Sequence, residues 1–230
     1  MDKVKLGFVG CGFMGQMAHL SNFIESEKCE VVALAEKRKS LRDKIAQKYH
    51  ISKTYLTHQE LAQDKEIDAV VEITPDALHS SIAIDLMNRG KHVFTEKPMA
   101  TNLIDATKMV EASEKNRVKL VIGYMKRYDP GVEKAKEIID HFEKTKEVHF
   151  AESTKVVLFD MEGIATTLET GHISANFWDE ELKVYYEDGW VELIASPPLL
   201  KNVPAKVKIY KVGKIQEVIE PYTEWDWSFK

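Results

Sequence analysis

Six residues near the start of the chain have the spacing of a phosphate-binding loop. Residues 10–15 read Gly-Cys-Gly-Phe-Met-Gly and lie between a short apolar run and a helical pattern. In a G-x-G-x-x-G loop the first glycine permits a tight turn, the second lets a pyrophosphate approach the backbone, and the third allows close packing of helix on strand. The loop therefore predicts a dinucleotide site formed by Gly10, Gly12, Phe13, Met14 and Gly15.

An acidic residue lies where the ribose of a dinucleotide is usually bound. Glu36 ends the second apolar run, about 20 residues after the last glycine, and a carboxylate there accepts hydrogen bonds from ribose hydroxyls. A glycine loop alone could be a plain strand–helix turn, but the acid at this distance favours a cofactor site, and NAD over NADP. Lys37 and Arg38 follow directly, and either could pair with a 2′-phosphate, so NADP stays open.

Candidate cofactor-contacting residues also follow three later apolar runs. They are Thr74 and Pro75, then Glu96 and Lys97, then Met125 with its basic neighbours. The carboxyl ends of parallel strands meet at one edge of an open sheet, and ligands bind there. We therefore expect these residues to face one crevice together with Gly10 and Glu36, and to contact the cofactor.

Lys97 is the candidate catalytic residue. It precedes Pro98, which restricts its backbone, and its ammonium group can donate to a substrate hydroxyl or stabilise a developing alkoxide. The alternative is an exposed surface lysine, the usual situation of lysine side chains.

Two further side chains near these motifs have open roles. His79, in the first turn of the helix after Thr74, is either a cofactor-side donor or an ordinary first-turn residue. Cys11 lies near a helix N-terminus, which is expected to lower its pKa. No base partner for Cys11 is identifiable, so we interpret it as a small loop residue.

Apolar runs and helical patterns alternate along the first half of the chain, which predicts strand–helix–strand units around a parallel sheet. The predicted strands are residues 5–10, 30–35, 69–74, 92–95 and 119–123. Residues 76–89 predict a helix with a cap at Asp76 and an end at Gly90. Thr57 begins a capping box, and Asp129-Pro130 supplies a cap and a first-turn proline for another helix.

After about residue 145 apolar and polar residues alternate, which is typical of an antiparallel sheet with one solvated face. Residues 182–186 and 190–194 flank Asp188-Gly189 and predict a hairpin, and Gly213 predicts a later turn. The fold prediction is therefore α/β. It comprises a Rossmann-type parallel-sheet domain over residues 1–123 and a smaller α+β domain with a mainly antiparallel open sheet over residues 124–230.

Composition excludes several classes of function. The 230 residues carry 32 Lys and Arg against 37 Asp and Glu, and a net charge of −5 gives no long-range attraction for nucleic acids or anionic membranes. Cys11 and Cys29 cannot form a disulfide framework, and no zinc-type spacing or run of about 18 apolar residues is present. The N-terminus enters a strand pattern directly and leaves no room for a signal peptide. We therefore expect a cytoplasmic protein with no metal, nucleic-acid or membrane partner.

Together the motifs resemble the glucose-fructose oxidoreductase and inositol dehydrogenase (Gfo/Idh/MocA) family, in order, over about residues 3–140. The resemblance is carried by the glycine loop, Asp-Ala-Val-Val at 68–71 leading to Thr74-Pro75, His79, Gly-Lys-His-Val at 90–93, Glu-Lys-Pro at 96–98 and Gly-Tyr-Met-Lys-Arg-Tyr-Asp-Pro at 123–130. The Glu-Lys-Pro motif at this distance from the glycine loop is highly specific.

The resemblance implies a Rossmann domain joined to a domain with an open, mainly antiparallel sheet. It also implies an NAD(P)-dependent oxidoreductase that acts on hydroxyls of sugars, cyclitols or related polyols. The family's lysine falls on Lys97, with a cis Lys97-Pro98 bond. The second-domain sheet and an aromatic tail with Trp225 and Trp227 suggest a homo-oligomer. The alternative is that these aromatic residues fill the domain's own core.

The sequence departs from the family pattern. The Asp/His motif with which a second-domain helix usually reaches the substrate is not found, and the remainder after residue 123 is short for that domain. Asp76 replaces the usual asparagine, Met125 stands where a polar residue is common, and Glu72 interrupts an apolar strand. Two alternatives therefore stay open: a dinucleotide-binding sensor without dehydrogenase activity, or a chain that lacks segments of a longer protein.

Overall fold

The computed structural model describes residues 3–139, 145–151, 156–159, 165–169, 181–186, 189–195, 204–213 and 217–220. They form two compact units, the first ending at Tyr124 and the second beginning at Met125. Each unit contains one sheet.

The first unit is built on a sheet of six parallel strands. They are β1 (Val4–Val9), β2 (Cys29–Ala35), β3 (Lys53–Tyr55), β4 (Ala69–Glu72), β5 (His92–Thr95) and β6 (Leu120–Ile122). Their order is β3-β2-β1-β4-β5-β6, so the direction of strand connection reverses between β1 and β4. This confirms the predicted Rossmann-type sheet, in which ligands bind at the carboxyl ends of the strands beside the reversal.

Helices cover both faces of this sheet. They are a segment that begins at Phe13 and is π-helical over Gly15–Leu20, then α1 (Ser21–Glu25), α2 (Lys39–Tyr49), α3 (His58–Ala62), α4 (Asp76–Met87) and α5 (Leu103–Asn116). Successive residues of β4 enter different cores, because Val70 packs in a cluster with Leu86 of α4 whereas Val71 packs in a cluster with Ile45 of α2. Burial of both faces explains the continuous apolar runs of the strands.

Local hydrogen bonds set the helix boundaries. α3 begins after Thr57, whose side chain accepts a hydrogen bond from the Glu60 N–H, as the capping box predicts. α4 begins at Asp76, so Asp76 is its first residue and not the predicted cap. It ends at Met87, before the predicted residue 89, and Gly90 then turns the chain with φ of +75°.

The strands of the first unit differ from the prediction in two places. β4 ends at Glu72 and not at residue 74, because the Glu72 carboxylate accepts the Thr74 N–H at 3.0 Å and takes it out of the strand ladder. β3 was not predicted. It has only three residues, two of them polar, and pairs with β2 at the sheet edge, so it leaves no apolar run in the sequence.

The second unit begins with a 3-10 helix, Met125–Tyr128, followed by α6 (Pro130–Ile139). The Asp129 carboxylate accepts the Gly131 N–H at 2.9 Å, and Pro130 is the first helical residue. The cap and first-turn proline predicted from Asp129-Pro130 are therefore confirmed.

A seven-stranded sheet completes the second unit. Its strands are β7 (Thr145–Ala151), β8 (Val156–Phe159), β9 (Ala165–Glu169), β10 (Glu181–Tyr186), β11 (Gly189–Ile194), β12 (Lys206–Lys211) and β13 (Glu217–Ile219). They are ordered β13-β12-β11-β10-β7-β9-β8, and every pair is antiparallel except β7 with β9. The predicted hairpin is β10–β11, and the mainly antiparallel sheet is confirmed.

The two faces of β10–β12 differ in character. Val184 and Val207 point to the apolar core that Ala135 of α6 closes. On the other face, Lys183 and Lys208 donate to the two oxygens of the buried Glu192 at 3.0 Å and 2.6 Å.

The described part of the chain contains no helix long and apolar enough to cross a membrane, and within it no three His, Cys, Asp or Glu side chains cluster as a metal site would require. The aromatic tail with Trp225 and Trp227 lies outside the described residues.

Candidate functional site

A crevice of about 730 Å³ opens at the carboxyl ends of β1 to β4 in the first unit. This volume is within the range of small-molecule and cofactor sites, roughly 300–1,000 Å³. Ten predicted cofactor residues line it: Gly10, Gly12, Phe13, Met14, Gly15, Glu36, Lys37, Arg38, Thr74 and Pro75. Leu56, His58 and Leu78 are among its other lining residues.

The glycine loop has the geometry that a dinucleotide requires. Gly10 has a φ of +88°, and a Cβ there would lie 2.2 Å from the Ile73 carbonyl oxygen. A Cβ at Gly15 would lie 2.9 Å from the Gly10 oxygen, so Gly15 lets the helix approach the strand. A Cβ at Gly12 would meet no atom within 4 Å, so this glycine leaves room on the crevice side. These are the turn, packing and approach roles expected of the three glycines.

Glu36 is a buried, ionised acceptor at the end of β2. Its carboxylate accepts the Cys11 N–H at 3.0 Å, the Arg38 backbone N–H at 3.0 Å, and the Nε and Nη2 groups of the Arg38 guanidinium, each at 2.9 Å. Burial by itself raises the pKa of Glu36, but these hydrogen bonds and the Arg38 charge outweigh burial and lower the pKa to about 2. The Glu36 carboxylate is therefore ionised at neutral pH and is paired with the Arg38 guanidinium.

The pKa of Cys11 differs from the one expected from the sequence. Its pKa is raised to about 12, first by burial and then by the Glu36 charge, and only Arg38 acts in the opposite direction. The predicted lowering by the helix N-terminus is wrong, because the thiol is buried in the core beneath the loop and faces a carboxylate.

Glu96 and Lys97 follow β5 but are not among the residues that line the crevice, so the expectation that all the strand ends share one crevice is too broad. Glu96 is buried, with Oε1 at 2.6 Å from His19 Nε2 and Oε2 accepting the Lys97 N–H at 3.0 Å. Burial opposes ionisation, but the His19 and Lys97 contacts prevail and lower the pKa of Glu96. Glu96 therefore anchors the loop that carries Lys97.

Lys97 itself is exposed, and within the described residues its Nζ makes no hydrogen bond or ion pair. The Lys97-Pro98 bond is cis, as the family resemblance implies. An exposed ammonium group on an anchored loop is available to a substrate.

His79 lies beneath the crevice surface and not in it. It is fully buried, and its ring nitrogens lie 2.7 Å from the Pro98 oxygen and 2.9 Å from the Thr74 oxygen. Both ring nitrogens already lie at hydrogen-bond distance from carbonyl oxygens, so neither is free to contact a cofactor.

Met125 begins the second unit and is half-buried in its 3-10 helix. Its contact with the cofactor stays a prediction.

Sequence reasoning missed His19 and gave no role to Glu72. His19 lies in the π-helical segment after the glycine loop, and a histidine between Ala18 and Leu20, both buried, was the available signal. Glu72 is fully buried at the end of β4, and its carboxylate accepts hydrogen bonds from the Thr74 N–H and from the hydroxyls of Thr74 and Thr95. The acid that interrupts the apolar strand is thus fully hydrogen-bonded.

Comparison with known proteins agrees with this geometry. Residues 4–124 match the profile of the Gfo/Idh/MocA family, an oxidoreductase family with an NAD-binding Rossmann fold. The chain belongs to this family. The inositol 2-dehydrogenase of Salmonella typhimurium is 34% identical over 141 residues, and the myo-inositol 2-dehydrogenase of Thermotoga maritima is 30% identical over 138 residues. Each match covers 60% of this chain and 41% of the relative, so the chain spans about two fifths of the length of these curated relatives.

Two solved structures share the fold of this Gfo/Idh/MocA member. The 3-ketoreductase of Actinomadura kijaniata, solved with NADP and TDP-benzene, has a TM-score of 0.85 at 14% identity over 99% of this chain and 86% of that chain. The aldose-aldose oxidoreductase of Caulobacter crescentus, solved with glycerol, has a TM-score of 0.81 at 19% identity over the same shares. Both support the pairing of a Rossmann sheet with a second sheet.

Proposed function

We propose that this Gfo/Idh/MocA member is an NAD(P)-dependent oxidoreductase that transfers a hydride between nicotinamide and a hydroxyl-bearing carbon of a sugar, cyclitol or related polyol. The observation that carries the proposal is the crevice between the open Gly12 and the ionised Glu36, at the reversal of the parallel sheet. The named relatives, two inositol dehydrogenases, support the substrate class that we propose.

The residues of the crevice would hold the cofactor in a definite orientation. The backbone of residues 10–15 would take the pyrophosphate at the start of the helical segment, and Glu36 would accept hydrogen bonds from the adenosine ribose. The nicotinamide, when bound, supplies the hydride donor or acceptor. The protein's own task is then to orient the substrate and handle a proton.

We propose that Lys97 contacts the reacting oxygen of the substrate. Its ammonium would donate to the substrate hydroxyl or stabilise an alkoxide, and the Glu96 carboxylate, held by His19, fixes the backbone from which Lys97 projects. The group that accepts the proton is left unassigned, because the described residues of the second unit contain no helix with an Asp/His pair.

NAD is the cofactor we propose in preference to NADP. The Glu36 carboxylate is ionised at physiological pH, so it would accept ribose hydroxyls and disfavour a 2′-phosphate beside it. Arg38 is already paired with both oxygens of Glu36, so a 2′-phosphate would have to compete with that pair. Replacement of Glu36 by Ser frees Arg38 and is expected to shift the ratio of kcat/KM values toward NADP.

We further propose that residues 1–123 form the cofactor-binding domain and residues 124–230 a substrate and oligomerisation domain. The second unit offers a sheet face that α6 does not cover, on which Trp190 stacks on Tyr210 beside Lys183. A homo-oligomer through this sheet would bury such a face. The free thiols of Cys11 and Cys29 are in keeping with a cytoplasmic location.

Steady-state kinetics of Lys97→Ala test the proposed activity. With NAD and myo-inositol as the probe substrate, the variant is expected to lose about 10²–10⁴-fold in kcat, the usual range for an acid–base contribution, and to keep its affinity for NAD. Lys44→Ala, at an exposed position of α2, is the matched control and should behave like the wild type. Full turnover by Lys97→Ala would refute the assigned role, and NAD binding without turnover on any polyol would favour a sensor.

A further inference from the structure

His79 has an unusual hydrogen-bond environment for a buried histidine. Its Nδ1 lies 2.7 Å from the Pro98 carbonyl oxygen and its Nε2 lies 2.9 Å from the Thr74 carbonyl oxygen. Carbonyl oxygens only accept hydrogen bonds, whereas a neutral imidazole has one donor nitrogen and one acceptor nitrogen. The neutral ring would therefore set a nitrogen lone pair against a carbonyl lone pair. Only the doubly protonated imidazolium can donate to both.

A buried imidazolium needs a nearby negative charge, because an isolated buried ion is strongly disfavoured. Its position makes the need greater, since His79 is in the first turns of α4, where the helix dipole also disfavours a cation. Glu72 is the fully buried acid on the adjoining strand, and Asp76 lies in the first turn of α4 itself. Glu96 and Lys97 are the charged residues on the loop that Pro98 continues.

The environment of Glu72 is the complement of that of His79. Every group that touches its carboxylate can donate: the Thr74 N–H, the Thr74 hydroxyl and the Thr95 hydroxyl. A carboxylate, which only accepts hydrogen bonds, matches these three donors. Thr74 joins the two groups, because it donates to Glu72 and its carbonyl accepts from His79.

The two anchor points of His79 lie on loops with different proposed roles. Thr74 lines the crevice, and Pro98 directly follows Lys97. We propose that His79 is a positioning residue held as an imidazolium, with Glu72 as its buried counter-charge through Thr74, and that this network fixes the Lys97 loop against the crevice wall. The positioning role rests on the proposed function; the charge state of His79 does not.

The ring nitrogens of His79 report its charge state directly. In protein labelled with 15N-histidine at neutral pH, a long-range 1H–15N correlation spectrum should show two similar, protonated nitrogens for His79. The signal is assigned by its disappearance in His79→Gln. One protonated and one unprotonated nitrogen would overturn the proposal, and this reading needs neither substrate nor turnover.

Glu72→Gln tests the counter-charge. The amide keeps the size of the side chain and removes its charge, so His79 should become neutral in this variant at the same pH. Asp85→Asn is the matched control. Asp85 is an acid on α4, the helix that carries His79, but its carboxylate contacts His58 and not Thr74. It should leave the His79 spectrum unchanged. An imidazolium that persists in Glu72→Gln would overturn the assignment of Glu72.

Two variants of His79 separate positioning from space filling. His79→Leu removes both donors and is expected to lower kcat on NAD and myo-inositol by about 10²-fold, the effect of a small misplacement of a reacting group. His79→Gln, whose amide can still donate to Pro98, should lose less. NAD affinity should stay near that of the wild type, because Glu72 still holds Thr74. A milder effect of Leu than of Gln would overturn the positioning role.

An inactive wild type with an imidazolium at His79 would count against the proposed function alone.

Discussion

Replacement of the glycines of the loop, one at a time, separates the folding role of the loop from its binding role. Gly10→Ala puts an L side chain at a φ of +88° with its Cβ 2.2 Å from the Ile73 oxygen, a backbone atom that cannot turn away. The left-handed conformation costs about 1–2 kcal/mol, and the forced shift of backbone adds a few more. We expect Gly10→Ala to lose about 2–5 kcal/mol of unfolding free energy.

Gly12→Ala should have the opposite profile. Its Cβ meets nothing within 4 Å, so the free energy of unfolding should stay within about 1 kcal/mol of the wild-type value. The same methyl group would occupy the space into which the pyrophosphate must come. Overpacking costs about 1–3 kcal/mol, and since each 1.4 kcal/mol is tenfold, the Kd for NAD should rise about tenfold or more.

Urea unfolding and calorimetric NAD titration of the two variants provide the measurement. The expected result is a crossed pattern, in which Gly10→Ala loses stability and Gly12→Ala keeps its stability but loses affinity. If Gly12→Ala binds NAD as tightly as the wild type, the pyrophosphate does not approach the loop at this glycine, and the placement of the cofactor is refuted.

Three further predictions concern ionisable groups. The folded-state pKa of Glu36 is lowered from 4.5 to about 2, so its stabilising contribution is complete above pH 4.5 and is lost as the pH falls toward 2. The difference in unfolding free energy between the wild type and Glu36→Gln should therefore shrink over that interval. A difference that stays constant with pH would contradict this linkage. Cys11, with a pKa of about 12, should react with iodoacetamide at neutral pH only as fast as the protein unfolds, whereas rapid labelling of the native protein would show an accessible thiolate. His19→Leu removes one of the two contacts of the buried Glu96 and leaves it the Lys97 N–H, so it should cost about 1–3 kcal/mol of unfolding free energy. No measurable change in urea unfolding would mean that the His19–Glu96 contact is not formed in solution.

Short-range patterns predict most of the first unit, because a buried parallel strand leaves an apolar run and a glycine loop leaves its own spacing. β1, β2, β5 and β6 fall within a residue or two of the predicted ranges. The cis Lys97-Pro98 bond is the one that the family resemblance implies. The polar strand β3 has no such run, so the sequence pattern does not predict it. Helix and strand ends shift where a side chain takes a backbone group, as Glu72 does with the Thr74 N–H.

Long-range contacts are what the sequence could not supply. His19 meets Glu96 across 77 positions, and Glu72 meets Thr95 across 23, so only the folded sheet brings these polar groups together. The same burial reverses the expectation for Cys11, because its pKa depends on what covers the thiol and not on the nearby helix end alone. The sequence therefore locates the loops of the site better than it predicts the protonation of the groups beneath them.

The measurement closest to the central claim is a calorimetric titration of the wild-type chain with NAD and with NADP, followed by assay of NADH formation with myo-inositol and other polyols. We expect one NAD per chain, weaker binding of NADP, and NADH production with at least one polyol. Failure of the chain to bind either dinucleotide would contradict the assignment of the crevice.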